Sequence, residues 1–385
     1  MITLQSADKV LKSYYLDAIT REIDLHSSPF LAKVEKTSAN VVGKNVSKII
    51  KLGVHSGVAA GSETGDLPTG GSGSYISLTA PLKNIYGTIE ITDKAIRASA
   101  NDEGAFVNLL NEEMDGLLKS AKFNFSRMLF GDGNGTVGTI TMVGGSTLEL
   151  TSVSGLAVGM SIDIYKQSNK THTKIKIESV DKQLKTITVN SMQLAGGGTP
   201  AEGDTIRVSG VDGYELTGLG AIFSSKAIYG MGRTYEYMKP YIADSVGELT
   251  EDTLQLAIDK IEETSGSKVN MILCSWAVRR ALTRCFKDRQ FNFSMEDIGD
   301  NQQVLCYNGI PIVVDAFCPE GEMYLLNTDD FKIYQLCDWQ WMEGEDGKIL
   351  KQVAGKPIYT ATLVKYAELV CEKPCGQGAL RGITV

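Results

Sequence analysis

The sequence predicts an α+β fold with a small all-β domain set into it. Three observations carry this reading. Over residues 103–130 apolar side chains recur every three or four positions: Phe106, Leu110, Met114, Leu117, Ala121, Phe125 and Met128, the spacing of one buried helix face. From Thr139 to Ser209 six short strand-like runs follow one another with no helical period, separated by turns rich in Gly, Ser, Asn and Asp. From Glu215 onward helical and strand patterns mix again.

Residues 5–25 read as an amphipathic helix, with rows Val10, Tyr14, Ala18 and Leu11, Tyr15, Ile19. The proline of HSSPF is expected to end it. Strand character follows from Lys44 to Val54 and from Tyr75 to Thr92, where Pro81 marks an edge or a bend. Between them lies SGVAAGSETGDLPTGGSGS, Ser56 to Ser74, with six glycines and no lysine or arginine. A phosphate-binding loop leads from a strand into a helix; this one leads from strand to strand, so it reads as the tip of a two-stranded loop. Glu63 and Asp66 are its charged residues. The helix of 103–130 has acidic residues at its start and Gly131 past its end, as its dipole and C-cap favour.

The six runs within 139–209 (TITMV, TLEL, SIDIY, TKIKIESV, TITV, DTIRVS) predict an independent barrel or sandwich. Beyond it, Thr250 can cap a helix that buries Leu254, Ala257, Ile258 and Ile261 and stops at Gly266. VNMILC reads as a buried strand, and Ser275 opens a further helix. Asn308-Gly309 between apolar runs signals a hairpin. FKIYQLCDW, KILKQVA and IYTATLVKYAELVCE are strand-like.

With 385 residues, 43 % of them hydrophobic, the chain is long enough for two or three domains with substantial cores. A net charge of −8 argues against a chain built mainly to bind nucleic acid. The first fifty residues are net positive and the last hundred net negative, so the two ends are expected either to meet across a subunit boundary or to be plain solvated surface. MITLQSADKVLKSYY lacks the basic and apolar blocks of a signal peptide, and no apolar run is long enough to span a membrane. All seven cysteines lie at or beyond Cys274, an odd number that fits reduced thiols better than a disulfide framework. The histidines and cysteines do not cluster as metal ligands, so no metal and no cofactor is expected. GxxxxGK[ST] and GxSxG are absent, and GDGNG follows a helix rather than a strand, so the chain is not read as an enzyme. The lysines between 166 and 185 of the β-domain, with Tyr165 its one aromatic, are a weak nucleic-acid signal.

The order of these segments resembles the major capsid proteins of tailed phages, the Hong Kong 97 fold family. The helix of 103–130 followed by FGDGNG is similar to that family's spine helix and its exit. LTGLGAIF resembles the point where the family pattern resumes. VNMILCSWAVRRAL and YNGIPIVVDAFCPEGEMYLLN resemble its axial domain, and FKIYQLCDWQW and LVKYAELVCEKPCGQGALRGI its closing strands. The resemblance implies an N-terminal arm over 1–45, an extended β-ribbon loop over 46–91, and a peripheral domain of 92–135 and 345–385. It further implies an inserted β-barrel or sandwich over 136–212 and an axial α/β domain over 213–344.

What the resemblance implies for function is a structural subunit that assembles through hexamers and pentamers into an icosahedral head around double-stranded DNA. Its partners would be further copies of itself, a separate scaffolding protein, portal and decoration proteins, and weakly held DNA, with no membrane. It would be part of the virion, assembled in the bacterial host cytoplasm. An encapsulin-type compartment is the alternative within the fold; a surface-binding module carried by the β-domain is the alternative outside it. Glu63, Asp66, Lys33, Lys36 and Lys44 are the assembly-interface candidates, with a passive tip the plain alternative for Glu63 and Asp66. No lysine lies between Lys51 and Lys83, so covalent crosslinking through the loop is not expected.

Overall fold

A computed structural model describes residues 28–53, 55–66, 69–94, 103–190, 199–287, 295–297, 303–344 and 347–385. The expected helix over 5–25 lies outside the described residues.

Two sheets share one core. In the first, Phe331–Trp341 and Lys351–Gln352 pair with one edge of Ile358–Cys371, and Lys83–Thr92 pairs antiparallel with the other. Glu35–Thr37 adds a parallel strand outside Phe331–Trp341. The helix Glu103–Phe130 packs on this sheet. Phe125 meets Trp339 edge to face at 6.0 Å, the preferred arrangement of two ring quadrupoles. Of the predicted apolar row, Phe125 and Met128 are buried and Leu117 and Ala121 pack against the core.

The second sheet has seven strands, in the order Tyr241–Ala243, Gly378–Leu380, Met323–Leu326, Met271–Cys274, Ile310–Val314, Gln303–Tyr307, Met295–Asp297. Period-two alternation divides its central strand: Met271 and Leu273 face the shared core, whereas Ile272 and Cys274 face a second core with the helices Glu251–Ser265 and Trp276–Lys287. The expected caps are in place. Thr250 accepts from the Thr253 amide, Gly266 is left-handed (φ 66°), and Leu254, Ala257, Ile258 and Ile261 are buried. Asn308 and Gly309, both at positive φ (50° and 79°), form the hairpin turn between Gln303–Tyr307 and Ile310–Val314.

Sheet membership corrects two expected boundaries. Phe331–Trp341, assigned to the axial segment 213–344, belongs to the sheet of the long helix. Gly378–Leu380, assigned to the closing segment 345–385, belongs to the seven-stranded sheet. Local pattern reveals that a strand exists, but its partner is a long-range choice.

Six strands between Thr136 and Val208 form a closed barrel around a core of its own, with Ile140, Leu148, Ile162, Ile164, Ile177, Ile187 and Ile206 among its members. Closure leaves no open sheet edge. The chain then returns to the long helix at LTGLGAIF. A Cβ on Gly218 would lie 2.4 Å from the Met128 carbonyl and 2.6 Å from that of Leu129. Glycine is required there because two backbones touch. Gly218→Ala is expected to destabilise the chain by about 1–3 kcal/mol, checked by urea unfolding against Gly70→Ala, whose Cβ would meet nothing.

Candidate assembly surfaces

The N-terminal arm is partly built into its own subunit. Pro29 occupies the first turn of a short helix, Pro29–Lys33, where its missing N–H costs nothing. Phe30 is fully buried and meets Phe331 edge to face at 5.2 Å, a burial that contributes roughly 2–3 kcal/mol. Ser28 donates to the buried carboxylate of Asp315. Burial raises the Asp315 carboxyl above its ordinary range, and the Ser28 hydroxyl opposes that rise.

The opposite-signed ends of the sequence meet inside one subunit. Lys36 lies 3.6 Å from Asp338 and Lys48 2.5 Å from Glu372, while Lys332 and Glu35, 3.2 Å apart, pair in the reverse sense. The structure therefore gives Lys36 a partner in its own chain and gives the charge imbalance an internal use. Burial alone would raise the Asp338 carboxyl, but the buried Lys365 ammonium beside it, with Lys36, holds it below its usual range. Lys33 and Lys44 are exposed, Lys33 at the end of its short helix and Lys44 in the turn before Asn45.

The loop is a three-stranded ribbon of Val41–Val42, Asn45–Leu52 and Ser74–Pro81. It stops at Pro81: Lys83–Thr92, expected to belong to it, is a strand of the first sheet. Proline has no N–H for a ladder bond, and the chain changes sheets there. One ribbon face (Val46, Ile50, Leu78, Ala80) is buried on the shared core. The other presents Ser47, Ile49, Lys51, Tyr75, Ser77 and Thr79, with Ile49 72 % and Tyr75 63 % exposed. Beyond the ribbon, Glu63 and Asp66 are exposed in the tip. The structure places both acids together at the tip and keeps Lys33, Lys36 and Lys44 apart from them on the arm and ribbon base.

A buried ion pair and a buried carboxyl stand where the barrel joins the body, and sequence reasoning missed all three residues. Arg127, near the end of the long helix, donates through Nη1 to Glu215 Oε2 at 3.0 Å and through Nη2 to Oε1, with both side chains at most 5 % exposed. Glu368 is fully buried; Oε1 accepts from the amides of Thr217 (2.7 Å) and Leu369 (3.1 Å), while Oε2 has no hydrogen-bond partner. Burial pushes its carboxyl up to about 8. A signal for Glu368 existed: Lys365 and Glu368 interrupt an apolar strand, IYTATLVKYAELVC.

Among the described residues no cluster of His, Cys, Asp or Glu could hold a metal ion, and no helix is long and apolar enough to cross a membrane. No family model matches the sequence, and no curated protein matches it. The fold has solved counterparts. The capsid of cyanophage A-1(L) superposes with a TM-score of 0.54 at 13 % identity, over 92 % of this chain and 91 % of that one.

The chain has the Hong Kong 97-type capsid fold. The capsid of an empty GTA particle (TM-score 0.49, 10 % identity, 92 % and 90 % covered) and a chain of the satellite phage P4 procapsid (0.47, 12 %, 96 % and 98 %) are also similar to it. In terms of this capsid fold, Glu103–Phe130 is the spine helix and its sheet the peripheral layer. The ribbon is the extended loop, and the seven-stranded sheet with its two helices is the axial layer.

Proposed function

We propose that this protein is a major capsid protein, a structural subunit that self-assembles into an icosahedral phage head around double-stranded DNA. The observation that carries the reading is likeness of fold to a phage capsid chain over nine-tenths of both chains. The ribbon agrees with it. Its inner face is anchored on the subunit, and its outer face offers Ile49 and Tyr75 to a neighbour. Exposed apolar groups on a flat strand pair are a liability in a monomer and an asset at an interface. The subunit acts as a building block rather than an enzyme, within the virion. Scaffolding, portal and decoration proteins are its further partners. DNA is held weakly and without sequence preference, in keeping with the negative net charge. The closed barrel over 136–208 projects from the spine helix as an inserted domain. Glu63 and Asp66 at the tip, with Lys33 and Lys44 at the arm and ribbon base, are the charged groups offered to neighbouring copies. Lys36 is dropped from that set because Asp338 occupies it.

The test is electron microscopy of the purified chain with and without co-expressed phage assembly factors, with nuclease-protected DNA measured in the particles. Shells that enclose a protein cargo and no DNA would assign the encapsulin-type compartment instead. A chain that stays monomeric in every condition would overturn the shell reading.

Deleting Gly57–Gly73 is expected to leave the monomer's melting temperature within about 2 °C of wild type, because none of the described residues in this stretch enters a core cluster. Assembly into shells is expected to be lost. A deleted chain that fails to fold would make the tip part of the core.

A further inference from the structure

The two helices of the axial layer lie on the same face of the seven-stranded sheet and carry opposite charge. Glu251–Ser265 holds Glu251, Asp252, Asp259, Glu262 and Glu263 against Lys260, whereas Trp276–Lys287 holds Arg279, Arg280, Arg284 and Lys287 and no acid. Their apolar faces are spent on the second core. What remains outward is patterned. Asp252, Leu256, Asp259 and Glu263 form one exposed stripe at steps of four, three and four residues, and Trp276, Arg280 and Arg284 form another at steps of four. Each stripe carries one large exposed apolar residue, Leu256 at 52 % and Trp276 at 57 %.

Inside the chain the two stripes do not neutralise each other. Among the described residues no ion pair joins Asp252, Asp259 or Glu263 to Arg279, Arg280 or Arg284. Glu263 pairs with Lys260 of its own helix, Asp259 accepts from Gln255, and Arg279 lies over the Trp276 ring at 5.6 Å. Arg280 and Arg284 have no carboxylate partner among them.

We propose that the acidic stripe of one copy seats against the arginine stripe of the next. The occupant of each surface is thus a second copy of this chain. A two-fold contact that laid either helix on its own copy would set like charge against like. A head-to-tail contact sets acid against arginine at every boundary, and a repeated head-to-tail contact closes a ring. Trp276 with two arginines is the composition of an interface centre rather than of solvated surface. The inference rests on the shell reading and names the contact that would close its capsomers. Because the charges sit at the surface, the contact weakens with salt.

The experiment is a charge swap read by sedimentation velocity and negative-stain microscopy. Arg280→Glu with Arg284→Glu is expected to raise the concentration needed for assembly at least about tenfold, since two attractions become repulsions. Asp259→Arg with Glu263→Arg is expected to do the same. The four changes together are expected to restore assembly to within a fewfold of wild type. Circular dichroism establishes that each variant is folded, and Arg280→Gln with Arg284→Gln replaces the reversal if that pair is not. Wild-type assembly by the arginine variants, or a folded quadruple variant that stays dispersed, overturns the contact while leaving the shell reading intact. A wild-type chain that never assembles overturns both.

Discussion

Replacing Glu215 by alanine is expected to cost the fold about 3–5 kcal/mol, because it strands the buried Arg127 guanidinium. The two side chains make a bidentate pair out of contact with water, and Arg127 Nε already lacks a hydrogen-bond partner. The ion pair need not be a large net stabiliser to be expensive to break: desolvation offsets most of its attraction, and removing one partner leaves that cost unopposed. Its position gives it consequence. The chain enters the barrel at Thr136 and leaves it at Val208, and the Val208 amide donates to Gly135 at 3.0 Å. Arg127 and Glu215 clamp this root to the spine helix. Urea unfolding of Glu215→Ala and of the double variant Arg127→Met, Glu215→Leu separates the two components. The single variant is expected to lose several kcal/mol and the double one much less. Equal losses would mean that the pair matters through attraction rather than through the penalty of an unpaired charge.

The elements of the fold were legible where the local signal is strong. The helix Glu251–Ser265 follows from Thr250, Gly266 and four apolar positions, all local features. The barrel strands follow from period-two patterning broken by turns, although the pattern alone left barrel and sandwich open. What the sequence could not reveal was which strands pair. Phe331–Trp341 paired with Ile358–Cys371 as the closing-strand resemblance implied, but outside the expected 345–385 boundary; Gly378–Leu380 joined a different sheet from the one expected, and Lys83–Thr92 left the ribbon. Those choices depend on partners well outside the local window, from Trp341 with Leu363 to Lys83 with Ala367. The interface candidates show the same limit. Lys36 is as basic as Lys33 in the sequence, and only the third dimension brings Asp338 beside it. The buried charges escaped because a charged residue is normally read as surface. In IYTATLVKYAELVC that prior fails at Lys365 and Glu368, both at most 1 % exposed.

Glu368 leads to a prediction of the opposite sign. Glu368→Gln is expected to stabilise the folded chain above pH 8 and to leave it nearly unchanged below pH 5. Burial first, against the backbone amides of Thr217 and Leu369, sets its carboxyl at about 8 instead of an ordinary 4.5. A folded-state value above the unfolded one means that the folded chain holds the proton more tightly. The neutral acid therefore contributes full stability below about pH 4.5, that stability declines as the unfolded chain ionises, and the loss is complete once the folded carboxyl ionises near pH 8. The difference amounts to a few kcal/mol in order of magnitude. Glutamine keeps an oxygen for the two amides and carries no charge, so it removes the pH-dependent component. Thermal melts of both proteins at half-unit steps from pH 5 to pH 9 give the comparison: the wild-type curve is expected to fall relative to the variant across that window. Parallel curves would mean that Glu368 is ionised in the fold at neutral pH, with Lys83, whose charge lowers its carboxyl, as the compensating group. The outcome also bears on assembly, since Glu368 holds Thr217 next to the Gly218 contact with the spine helix. A carboxylate forming there as pH rises would loosen the junction at which the barrel and the axial layer meet the spine helix.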